Sequence, residues 1–257
     1  MLVKICNRNV EKFRYAILWE NNRVLAYNST IVAKGLTHKV IYTGRDYIIP
    51  IGNGTHFIVY AASIGRFPLY SKGIFHSIDA IAIYPRENVL KPSVVYMYFY
   101  AKDHPSPTRY YYNPIEDRSQ MIWYIARLQN LPQFWMEDLI KEKSMTITAE
   151  VQFPDSIKKE IIRMELVKSM NIDNRLLWIV KYEFLDEDSK IYACVDAETK
   201  LIVGEVFISE GEKAVYYLAE VVRLEDVPIE LLSQIRDITY IDVSKNKSIE
   251  IPRTKNP

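Results

Sequence analysis

Glycine is scarce in this sequence, with 8 in 257 residues, and proline numbers 12. That excludes a collagen-like or low-complexity chain. Only two cysteines are present, Cys6 and Cys194. They are too few for a disulfide framework and lack zinc-site spacing; one bridge between them stays open, because geometry decides it. The four histidines, His38, His56, His76 and His104, are scattered without ligand spacing. No apolar run reaches the roughly 18 residues of a membrane span. No P-loop, nucleophile elbow or dinucleotide fingerprint occurs. The N-terminus shows no apolar export segment, so the sequence alone points to a cytoplasmic protein with no membrane partner.

What is present is ordinary globular material, 49% apolar and 25% charged. Isoleucine is abundant and tyrosine numbers 19, against five glutamines. That bias is expected of a thermophilic source, archaeal or archaeal-viral. Net charge is +1 but unevenly spread. Residues 1–100 hold 12 lysines and arginines against 5 acids, and residues 151–257 hold 15 against 20. Such a split fits two surfaces with different partners, or two halves that attract each other.

The first hundred residues read as strands: 13–19 and 23–27 around a short polar turn, then 39–43, 46–51, 56–63, 74–84 and 94–102. Asn113 and Pro114 form a helix start, with Ile115, Ile122, Ile125 and Leu128 at helical spacing. A second helix is expected from Pro132 to about Lys143. A third, carrying Ile157, Ile161 and Met164, follows Asp155 or Ser156. Strands 176–185, 190–196, 201–208 and 214–224 then form a meander, and a short helix follows Pro228. The expected fold class is α+β: a β-rich antiparallel N-terminal part, central helices, and a C-terminal helix plus antiparallel meander. A soft boundary near 150 separates a basic module, 1–150, from an acidic one, 151–257. A single fused domain is the alternative.

Segment 66–124 carries the suggestive chemistry. Asp79 lies in one apolar strand, Lys102 ends the next, and Gln120 and Tyr124 follow on a helix. In this order the segment resembles the PD-(D/E)xK nuclease core. The resemblance implies Asp79 as a Mg²⁺ ligand, Lys102 as the residue positioning the attacking water, and Gln120 and Tyr124 as the helix pair. The second acidic residue is missing, since Tyr100 stands in its place, and Glu87 or Glu116 would have to substitute. Separately, 157–202 resembles the PepSY module, with Val195-Asp196-Ala197-Glu198-Thr199 at its turn and Lys200 where that family has glycine.

The same neighbourhood needs no catalysis to be useful. Tyr96, Tyr98 and Tyr100 alternate along one strand face, near Lys102, Arg109, Tyr111 and Arg118. Exposed, they would stack on bases beside phosphate-binding cations. The expectation is a non-catalytic binding or assembly protein, with DNA or RNA as first ligand and no cofactor. Its alternatives are a divergent Mg²⁺-dependent nuclease and a homo-oligomeric or virion-type structural protein, partnered by itself or another protein.

Overall fold

A computed structural model describes Cys6 and residues 23–34, 39–52, 56–65, 75–88, 94–101, 108–112, 133, 135–153, 156–186, 188–210, 212–236, 240–242 and 247–249. Strands dominate. The first six are β1 (Arg23–Lys34), β2 (Lys39–Gly52), β3 (His56–Gly65), β4 (Phe75–Pro85), β5 (Val94–Ala101) and β6 (Thr108–Tyr112). After helix α1 (Met136–Glu142) come β7 (Ser144–Phe153), β8 (Ser156–Ile172), β9 (Arg175–Phe184), β10 (Ser189–Asp196), β11 (Ile202–Ser209) and β12 (Glu212–Arg223). Helix α2 (Ile229–Arg236) and a small hairpin, β13 (Tyr240–Asp242) with β14 (Lys247–Ile249), follow.

The twelve long strands form one antiparallel sheet in the order β6-β5-β4-β3-β2-β1-β12-β11-β10-β9-β8-β7. Its two edges are β6 and β7, neighbours in sequence. Its centre is the pair β1 and β12, which joins residues from either side of position 150. No helix among the described residues is long and apolar enough to cross a membrane.

This corrects the expected α+β class with central helices. Residues 157–170, read as a helix, belong to the seventeen-residue strand β8. Ile162, Met164 and Leu166 point inward while Ile161, Arg163 and Glu165 are exposed, a period of two. The i, i+4 matches at Ile157 and Ile161 came from isoleucine density, and β-branched residues favour the pleated surface. Of the helix expected over 132–143, Met136–Glu142 is helical. The strand expected at 13–19 and the helix expected after Pro114 lie outside the described residues.

Both faces of the sheet are apolar. In β3, Phe57, Val59 and Ala61 join one buried cluster while Ile58, Tyr60 and Ala62 join another. That second cluster includes Leu231 and Ile235, so α2 packs on this face of β1–β4. A third, holding Trp178, Val180 and Tyr182 of β9, is packed by Met136 and Leu139 of α1. The first cluster runs through eight strands, β1–β4 and β9–β12; Leu201 of the β10–β11 turn and Cys6 complete it.

Irregular pairings bend this sheet. The register slips by one residue at Ala219 in β12, at Asp79 between β3 and β4, at Val203 in β11 and at Val167 in β8. Each extra residue kinks its strand and raises the local twist.

Candidate functional site

Register alone places two acidic residues on one sheet face. Glu205 of β11 pairs with Tyr216 of β12, Tyr216 with Ser29 of β1, and Ser29 with Gly44 of β2. Asp46 lies two residues along β2 and so shares that face. In a flat sheet three strand spacings would separate the two residues by roughly 14 Å. The register slips bend the sheet away from flat, and both residues are buried in it.

Gly44 marks the floor of the curl. A Cβ there would stand 2.8 Å from Ser29 Oγ and 3.3 Å from the Ile64 carbonyl, so only glycine lets β1, β2 and β3 approach this closely. Asp46 is 8% exposed and Glu205 1%. Ser63 Oγ donates to Asp46 Oδ1 at 2.8 Å. Burial, then the Asp46 charge, push the Glu205 carboxyl up to about 8. Tyr182 of β9 lies within reach of Glu205; burial first and that charge second raise its phenol, and the Trp135 indole opposes the shift. An apolar interior with a few convergent polar groups is the usual make-up of a small-molecule site. Among the described residues no group of three His, Cys, Asp or Glu side chains is arranged to hold a metal ion.

A second constellation closes the β10–β11 turn. Asp196, fully buried, accepts from Arg175 Nε and Nη2 on Oδ2. Its Oδ1 accepts from the backbone of Glu198 and Thr199 and from Thr199 Oγ1. Lys200 follows with φ of 60°, the left-handed conformation that glycine supplies more readily. Its ammonium sits 4.5 Å from the Trp178 ring, and its carbonyl accepts from Gln133 N at 2.7 Å. Burial lowers the Lys200 ammonium, opposed by Glu137 and Asp196. Nearby, Tyr27 is raised by burial and by Asp196, and its hydroxyl has no hydrogen-bond partner among the described residues. Cys6 and Cys194 are joined by a disulfide with Cα atoms 6.2 Å apart, both inside the apolar cluster.

The residues singled out in the sequence lie elsewhere. Asp79 is the extra residue of β4 against β3, between Ala80, paired with Ala61, and Ile78, paired with Ala62; toward β5 it lies between Ile78, paired with Tyr100, and Ala80, paired with Met97. Tyr96 pairs with Ile81 and Tyr111, and Tyr98 with Arg109. The backbone of these residues is described and their side chains are not. Lys102, Arg118, Gln120 and Tyr124 fall outside the described residues. The strand holding the tyrosines is interior to the sheet, and its β4 partners Ile78 and Ile81 are buried beneath α2. Sequence reasoning missed Asp46 and Glu205, although an acid flanked by Gly204 and Val206 in an apolar strand was the available signal. Asp196 was visible only as part of a turn.

No family model matches the chain, and no curated protein does. Among solved structures it is similar to a β-barrel-like protein of domain of unknown function DUF1849 from Brucella abortus. Identity there is 8% and the TM-score 0.44, over 79% of this chain and 98% of that one. It is also similar to a DUF1329 family protein from Desulfovibrio piger (10%, TM-score 0.32, 96% and 99%). A LolA superfamily protein from Nitrosomonas europaea matches at 12% identity and TM-score 0.25, over 81% and 89%. By their printed names one of these is β-barrel-like and one belongs to the LolA superfamily. The readings as a DNA- or RNA-binding protein, a nuclease or an assembly protein, and the archaeal source, are not retained.

Proposed function

We propose that this protein binds and carries an apolar ligand of the acyl-chain class inside its curled sheet. One observation supports this above others: an apolar cluster threads eight strands while both described helices pack on the other two clusters. The sheet thus encloses apolar surface by bending on itself, as sheets that hold small apolar molecules do. The Cys6–Cys194 bridge supports an oxidising compartment outside the cytosol, in place of the cytoplasmic one expected from the sequence.

The test is titration of the purified chain with a fluorescent fatty-acid probe, followed by displacement with unlabelled fatty acid. Saturable one-to-one binding with competition is the expected result. Ala61→Trp, which puts a large side chain into the interior, should weaken it without changing the far-UV circular dichroism. Probe fluorescence that rises linearly without saturation, and is indifferent to competitor, would overturn the reading.

A further inference from the structure

One row of the sheet interrupts the apolar face that the first cluster occupies. Tyr27 of β1 pairs with Asp46 of β2, Asp46 with Ser63 of β3, and Ser63 with Ser77 of β4. Paired residues share a face, and this is the face of Leu25, Ile48 and Ala61. All four are polar, and Ser63 Oγ donates to Asp46 Oδ1 at 2.8 Å. From this row the face turns apolar along the strands: Ile48 with Ala61, then Val59 with Ala82, then Phe57 with Tyr84. At the rise of an extended strand, Ser63 and Phe57 stand roughly 20 Å apart along β3. An acyl chain with its head at the polar row and its tail at Phe57 fits that length.

Within the row, the Tyr27 hydroxyl is the group with an unmet demand. The residue is 1% exposed and lies in the apolar cluster, and its hydroxyl has no hydrogen-bond partner among the described residues. A buried hydroxyl left without a partner costs stability, and native proteins rarely keep one without a reason. Burial raises the phenol above its usual range, so it stays protonated and a donor at any working pH. What it lacks is an acceptor oxygen.

We propose that the Tyr27 hydroxyl donates a hydrogen bond to the head oxygen of the bound acyl ligand, a carboxylate or an ester carbonyl. The inference rests on the carrier reading above and gives the ligand a direction, with its head at the row of Tyr27 and its tail toward Phe57.

The test displaces the fluorescent fatty-acid probe from wild type and from Tyr27→Phe with three competitors of one chain length: hexadecanoic acid, its methyl ester and hexadecane. Inhibition constants are corrected for the probe's own affinity in each protein. Tyr27→Phe should weaken the acid, the ester or both by about tenfold and leave hexadecane unchanged. Whichever head loses affinity is the one held. Ala61→Trp, in the path of the chain, should weaken all three. Without ligand, Tyr27→Phe should keep or raise the thermal midpoint, because no bond within the protein is lost. Acid and ester constants that are the same in both proteins overturn the inference. A lower ligand-free midpoint in Tyr27→Phe, or its failure to fold, also does so, since the hydroxyl would then be bonded within the protein. Absence of saturable probe binding in the wild type removes the carrier reading and this inference with it. Saturable binding and competition that Tyr27→Phe leaves unaltered remove this inference alone.

Discussion

Two nitrogens of Arg175, Nε and Nη2, converge on one oxygen of Asp196, at 3.0 and 2.9 Å. The other oxygen of Asp196 is taken by Thr199 and the backbone of Glu198, so this buried carboxylate has acceptor bonds on both sides. The guanidinium also reaches the exposed Glu198, at 2.9 Å. Asp196→Ala leaves a partly buried guanidinium and two turn amides without their acceptor. It should cost on the order of 3 kcal/mol, read as a drop in the denaturant midpoint. Glu198→Ala, on the exposed side, should change stability by less than about 1 kcal/mol.

Glu205 makes a pH prediction for global stability. Its folded-state affinity for a proton exceeds the unfolded one, so its stabilising contribution is complete below about 4.5 and is lost as pH rises toward about 8. Within that window unfolding should become easier by about 1.4 kcal/mol per pH unit for one proton. Urea titrations at several pH values check this, and Glu205→Gln should remove the slope.

Much of the C-terminal meander was readable in the residues. The apolar spans 176–185, 190–196, 201–208 and 214–224, broken by short polar turns, mark β9 to β12. The strand β8 was misread because its isoleucines satisfy two periods at once. Which strands pair across the chain was not readable: nothing in Arg23–Lys34 names Glu212–Arg223 as its partner. Asp46 and Glu205 were hidden for the same reason, since they share a sheet face only through strands far apart in sequence.

Gly44 should tolerate no side chain while Ser29 keeps its hydroxyl. Gly44→Ala forces apart Ser29 Oγ and the Ile64 carbonyl and should destabilise by about 1–3 kcal/mol. Adding Ser29→Ala should recover part of that loss. Additive effects in the double mutant would argue that the Ser29 hydroxyl is not what a side chain at 44 meets.

The bridge between Cys6 and Cys194 spans 188 residues of sequence. Loop entropy alone then assigns it up to about 5 kcal/mol. Dithiothreitol should lower the thermal midpoint of the wild type. Cys6→Ser should start lower and not respond to the reductant, and intact-mass alkylation should count two thiols only after reduction.

The first and last long strands, β1 and β12, lie side by side at the middle of the sheet. A nascent chain therefore exposes the β1 edge throughout synthesis of everything between them, and its central seam is sewn last. Such distant pairing makes assembly slow and leaves an open edge that invites wrong partners meanwhile. Joining the chain ends and reopening the loop between β6 and β7 would turn the whole sheet into a sequential meander, which should refold faster than the native connectivity.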